Sequence, residues 1–324
     1  MPSDVHVKAK LMNSTSDYNV SRRAFIRASA SAVVAASACR LAPALAADTL
    51  RKKGWDMKLA TSSVIFDKLK IEQVCERVKR IGLNAVDIWG PFTYYKTRCD
   101  HLEDIRQRLG GKGLADLLAR HKLKVAAFTL YQKAELSQYW QMIRDYGGGV
   151  IVRSDKAKAS SAKDMSKDMR SFFEKLKPEI ELAEKCNSVL AIENHGGGLL
   201  NSLDSFKAFV ELNPNPKRVG IAFAPWHLQG YKDTPMVDFI KTAGSQIQFF
   251  YAWQRGTQKN RFGITQLPGL GPVDFTPWLK ALAEVKYSQY LAIFLHEHTV
   301  PDEIEPKLAQ SREYMLKCHK KVSL

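Results

Sequence analysis

The chain has 324 residues, 45% hydrophobic and 25% charged, with a formal net charge of +16. That balance excludes an intrinsically disordered chain and supplies enough apolar material for a sizeable core, as two ordinary domains or as one α/β barrel with an extension. The positive surplus could serve an anionic small substrate or simply decorate helices with lysine; no Arg-rich run interleaved with aromatics appears, so no nucleic-acid partner is expected.

Ser21-Arg22-Arg23-Ala24-Phe25-Ile26-Arg27 resembles the twin-arginine export motif. A mildly apolar Ala- and Ser-rich stretch follows at 28–38, and Ala44-Leu45-Ala46 offers a cleavage site before Ala47. The stretch is too short to cross a bilayer, and small residues fill every face of any helix it would form. Residues 1–46 are therefore expected to be a signal that sends the protein to the periplasm or otherwise out of the cytoplasm, and 47–324 the mature domain. The segment holds six Lys and Arg against two Asp and Glu, so its removal leaves +12. No other long apolar stretch exists, so the mature protein is expected to lack a membrane span. Cys75, Cys99, Cys186 and Cys318 are too widely and irregularly spaced for a zinc pattern.

From Met57 onward, short β-rich runs alternate with helical ones. The expected strands are 58–64, 85–89, 123–129, 149–152, 190–193, 219–224, 246–253 and 290–295. Between them, apolar residues at Ile71, Val74, Cys75, Val78 and Ile81 keep helical spacing until Gly82 stops them. Further helices are expected at 114–119, 140–146, 169–185 with Pro178 kinking or dividing it, from Ser202 with Ser202 or Ser205 as cap, and at 275–285 and 303–319. Eight strands alternating with helices argue for a single (β/α)8 TIM barrel. The runner-up, a doubly wound sheet, lacks a G-x-G-x-x-G after any strand.

In a barrel the C-terminal strand ends converge on one mouth, which brings together Asp87 and Trp89, Thr129 and Tyr131, Glu193 and His195, His227, Gln254, and His296-Glu297-His298. The stretch Leu190-Ala191-Ile192-Glu193-Asn194-His195 followed by three glycines is the clearest of these: an apolar strand ending in an acid, an amide and an imidazole. Carboxylate, imidazole and amide oxygen together suit a divalent metal (Mn, Co, Zn or Mg) that polarises a carbonyl or a vicinal diol. Trp89, Tyr131 and Trp253 are candidate substrate contacts, since sugars pack on aromatic faces, and Arg255, at the head of a basic loop, is another for an anionic substrate. The loop 255–271 is long and basic, a length that is more often functional than not.

Gly82 to Trp89, Ala191-Ile192-Glu193-Asn194-His195, Ala224-Pro225-Trp226-His227-Leu228, and Pro268-Gly269 through Val273-Asp274-Phe275 resemble the sugar phosphate isomerase/epimerase group, the xylose isomerase-like TIM barrels. Tyr251-Ala252-Trp253-Gln254, Gln266-Leu267-Pro268-Gly269 and Ile293-Phe294-Leu295-His296 are similar to an exported bacterial subgroup. The resemblance implies a divalent metal held by a strand-5 Glu, a strand-6 Asp, a strand-7 His and a strand-8 Glu. Glu193 matches the first. Ala224 stands at the second, with His227, which the resemblance implies is a substrate contact, kept three residues on; strand 7 ends in Tyr251 to Gln254, and strand 8 offers His296 or Glu297. The expected site is a rearranged metal set of Glu193, His227, Gln266 or Gln254, and His296. Glu193 would be ligand or base and His195 a substrate contact or acid. The expected activity is isomerisation, epimerisation or elimination of a sugar or keto-sugar by proton abstraction next to a carbonyl. The alternative is a metal-free carbohydrate-binding protein on the same barrel. An endonuclease IV-like branch of the group would need more His and acidic ligands than this chain offers. The oligomeric state, a homo-oligomer included, is left open.

Overall fold

The barrel strands are almost wholly buried runs of four to seven residues, as expected where helices cover the outer face and side chains fill the interior. The computed structural model describes residues 54–131, 134–154, 157–158, 163–229, 235–256 and 262–322. The export segment expected at 1–46 lies outside the described residues, as do Lys259 and Arg261 of the basic loop.

The strands are β1 (Lys58–Ser62), β2 (Ala85–Trp89), β3 (Phe92–Tyr94), β4 (Thr97–Cys99), β5 (Lys124–Leu130), β6 (Val150–Ser154), β7 (Val189–Glu193), β8 (Val219–Phe223), β9 (Ile247–Ala252) and β10 (Tyr290–Ile293). Eight of them close in the order β1-β10-β9-β8-β7-β6-β5-β2, all parallel, with β3 and β4 forming a separate antiparallel hairpin. This is a (β/α)8 barrel. No described helix is long and apolar enough to cross a membrane.

The helix Ile71–Ile81 buries the five apolar residues that its spacing singles out and ends on Gly82 in the left-handed region (φ 83°). The helix Leu203–Leu212 is opened by a reciprocal box: Ser202 Oγ accepts from the Ser205 N–H at 3.2 Å, and Ser205 Oγ accepts from the Ser202 N–H at 3.1 Å. Three expectations are corrected. Strand 1 stops at Ser62, and 63–66 turn as a 3-10 helix. Pro178 does not divide its helix, which runs unbroken over Met165–Lys185; the proline is exposed, where water can serve the carbonyl that its missing N–H leaves free. The hairpin β3–β4 and the helix His101–Arg108 occupy a stretch for which the sequence suggested no element.

Candidate active site

Polar residues on the buried strands gather at the C-terminal ends: Asp87 on β2, Thr129 on β5, Glu193 on β7. Asn194 then ties the tips of β7 and β8 together. Its Oδ1 accepts from the Ala224 N–H at 2.7 Å and its Nδ2 donates to the Ala224 carbonyl at 3.0 Å. With these ends fixed, the residues that follow them meet. The rings of His195 and His227 lie 3.9 Å apart, and His227 Nε2 is 3.6 Å from Glu193 Oε1. Gly196 permits this approach, since a Cβ there would stand 3.2 Å from the His227 carbonyl. Donor atoms of Glu193, His195 and His227 all lie within 4.8 Å of one another.

Burial dominates the electrostatics here. It pushes the Glu193 carboxyl up to about 7, with His195 pulling the other way. It pushes His227 down to about 3, helped by Arg255, and His296 down to about 4. His195 is lowered for the same reason, Glu193 opposing. Both imidazoles of the cluster are therefore neutral at pH 7, the form in which histidine binds metal. Glu193 Oε2 and His195 Nδ1 are buried without a hydrogen-bond partner. Unsatisfied buried groups of this kind are costly unless something absent completes them, so the three residues fit a divalent ion. One carboxylate with two imidazoles suits zinc or another transition metal and leaves positions open for a substrate.

A second carboxyl lies deeper. Asp87 is fully buried and accepts from Ser62 Oγ (2.6 Å), Thr129 Oγ1 (2.6 Å) and the Trp89 indole N–H. Burial nevertheless pushes it up to about 7. Thr129 Oγ1 also meets the Tyr251 hydroxyl at 3.1 Å. Asp87 thus orients Trp89, whose ring stacks between Tyr131 (5.0 Å, 10°) and Phe294 (5.3 Å, 20°). A second stack pairs Trp226 with Trp253 at 5.2 Å, and the Arg255 guanidinium lies 5.0 Å above Trp226. Its backbone N–H donates to Gln229 Oε1. The substrate contacts expected from sequence therefore fall into two aromatic walls. Tyr131 reaches toward His195 (6.3 Å between ring centroids), and Trp253 toward His227 (5.4 Å).

Of the metal set expected from sequence, the structure brings Glu193 and His227 together and adds His195. Gln266 and His296 lie outside the cluster. Gln266 Oε1 accepts from the His296 N–H at 3.1 Å, which spends the amide oxygen on holding the β10 tip. His296 faces Tyr94, Phe92 and Trp253 instead. Gln254 is likewise committed, donating from Nε2 to the Leu267 carbonyl and accepting from the Val273 N–H. His298 Nδ1 lies 3.7 Å from Asp67, away from the cluster.

A closed parallel barrel with helices around it, and an acid and two imidazoles at its C-terminal rim, defines a TIM-barrel protein with a candidate site at that mouth. The chain belongs to the xylose isomerase-like TIM barrel family, whose model matches residues 75–318. No curated protein matches the sequence. Among solved structures, the IolI protein with a bound zinc atom is similar at TM-score 0.64 and 15% identity, over 82% of this chain and 99% of that one. The apo 3-keto-D-glucoside 4-epimerase YcjR from E. coli is similar at TM-score 0.58 and 16% identity, over 80% and 100%. An L-ribulose 3-epimerase is similar at TM-score 0.57 and 15% identity, over 82% and 96%. At such identities the likeness establishes the fold.

Proposed function

We propose that the protein is a metal-dependent enzyme that removes a proton from the carbon next to the carbonyl of a sugar or keto-sugar, giving isomerisation, epimerisation or elimination. The observation that carries this reading is the buried group of Glu193, His195 and His227, with two unpartnered polar atoms and the rings of Tyr131 and Trp253 beside its imidazoles. Epimerases among the structural neighbours support the substrate class. Glu193, His195 and His227 would hold the ion. A divalent ion bound there polarises a carbonyl or hydroxyl oxygen of the substrate.

The remaining work falls to this chain's own residues. Glu193 would give the ion one carboxylate oxygen and keep the other to take and return the proton. Tyr131 on one side and Trp253 on the other orient the sugar and exclude water, while Trp89, its two faces covered by Tyr131 and Phe294, backs the Tyr131 side and is not itself the substrate contact expected from sequence. Arg255, on the Trp226 wall, meets an anionic or hydroxyl-rich edge of the substrate.

The test is two measurements on the mature protein: metal content by plasma mass spectrometry, and exchange of the sugar proton next to the carbonyl with deuterated solvent by NMR. Near-stoichiometric metal and exchange, with the metal lost in Glu193→Ala and His227→Ala and the exchange lost in Glu193→Gln, are expected. Survival of both metal and exchange in Glu193→Gln overturns the site. The aromatic mouth also supports the second reading, a carbohydrate-binding protein, and sugar affinity with neither metal nor exchange would establish it. We further propose that residues 1–46 direct export by the twin-arginine route to the periplasm. Arg22→Lys with Arg23→Lys is expected to keep the unprocessed protein in the cytoplasm.

A further inference from the structure

Outside the catalytic cluster, a cavity of about 430 Å³ opens between the β3–β4 turn and the segment after β10. Its walls include Tyr94, Tyr95, Lys96, Phe262, His296 and Glu297, and none of Glu193, His195 or His227. Whatever fills it lies beyond the reacting position. A strip of rings nevertheless joins the two places: His227 to Trp253 at 5.4 Å, Trp253 to His296 at 6.4 Å, and His296 to Tyr94 at 4.8 Å. Tyr94 then meets Tyr95 at 4.5 Å with the rings at 88°, an aromatic corner.

The corner is built at a cost. Tyr94 pairs with Thr97 across the hairpin, so Tyr95 and Lys96 form a two-residue turn, and Tyr95 sits in the left-handed region at φ 50°. Such turns favour Gly or Asn there, and a bulky side chain in that conformation is uncommon. Tyr95 is also 88% exposed, and its neighbours Tyr94 (39%) and Phe262 (46%) extend the patch. A strained, exposed aromatic gains nothing for the fold, whereas at a binding rim it supplies a flat apolar face. Beside it stand the cation of Lys96 and the carboxylate of Glu297, able to bind hydroxyl groups. An apolar face edged by hydrogen-bonding groups is what a pyranose ring requires.

We propose that this cavity is an outer sugar subsite, and that the substrate is a glycoside of two or more rings rather than a free monosaccharide. The inference rests on the sugar reading of the inner site. One ring lies between Tyr131 and Trp253 beside Glu193, and the next stacks on Tyr95 and Tyr94, with His296 between.

The test is calorimetric titration of the metal-bearing mature protein with glucose, maltose, cellobiose and trehalose, repeated on Tyr95→Ala and Tyr95→Phe. At least one disaccharide is expected to bind about tenfold tighter than glucose, what one stacked ring supplies. Tyr95→Ala is expected to bring that ratio close to one while leaving glucose affinity unchanged, and Tyr95→Phe to preserve it. Equal affinities for glucose and all three disaccharides, a ratio unmoved by Tyr95→Ala, or no binding of any of these sugars overturns the subsite. The proton-exchange assay separates the two claims. Disaccharide preference without exchange on any keto-sugar sinks the catalytic reading and keeps the subsite, whereas exchange without the preference does the reverse.

Discussion

Asp87 makes a prediction whose size follows from its surroundings. Its carboxyl is raised from an ordinary 3.8 to about 7, so over that window the folded chain holds a proton that the unfolded chain has released. Stability is therefore fully present below 3.8 and is lost as the pH climbs through about 7. At about 1.4 kcal/mol per pH unit, levelling off above the folded value, the loss is roughly 3 kcal/mol between about pH 5 and about pH 8. Asp87→Asn removes the titration and keeps the contacts. The amide oxygen accepts from Ser62 and Trp89, and the amide nitrogen donates to Thr129, whose hydroxyl turns toward Tyr251. Urea unfolding of the wild type and the variant, from about pH 5 to about pH 8, reads the difference between them, which isolates Asp87 from Glu193 titrating in the same range. The wild type is expected to lose roughly 3 kcal/mol more than the variant. Parallel profiles would refute the reasoning: they would mean that the three donors outweigh burial and keep Asp87 ionised throughout.

Ser202→Ala removes the cap of Leu203–Leu212 and is expected to cost about 1 kcal/mol by denaturant midpoint, with Ser202→Thr close to neutral. Trp253→Phe discards an indole N–H that is buried without a partner, so the thermal midpoint is expected to hold while sugar affinity falls. The Glu103 carboxyl is held down to about 2, first by Arg106 and then by Tyr139. The stability it contributes is present above 4.5 and lost as the pH falls toward 2, and Glu103→Gln is expected to flatten that limb. For a pair this exposed the effect is under about 1 kcal/mol. Gly271→Ala would place a Cβ 2.2 Å from the Thr265 carbonyl and 2.6 Å from the Gln254 amide. It is expected to lower the melting temperature by several degrees.

The barrel was legible because its strands are short, apolar and punctuated, with Gly82 and Ser202 marking helix ends. Glu193 and His227 were legible as polar residues closing apolar runs. His195 could be placed beside them, but not within reach of a shared ion, because the Asn194 clasp that aligns the two strand tips joins residues 30 apart. Gln266 looked like a ligand because an amide oxygen suits a metal; that its oxygen is already taken by the His296 N–H shows only in three dimensions. The β3–β4 hairpin escaped notice since its turn is Tyr95-Lys96, with neither Gly nor Asn to announce it.

The feet of the loop between β9 and the helix Thr276–Glu284 are gripped by two uncharged amides. Gln254 spans Leu267 and Val273, while the Gln266 side chain holds the tip of β10 and its carbonyl receives the Gln254 N–H. Neutral groups keep such a grip at any pH and any salt concentration. The ends of the stretch are thus anchored independently of the residues between them. A change of sequence between the feet therefore need not move the ends of β9 and β10.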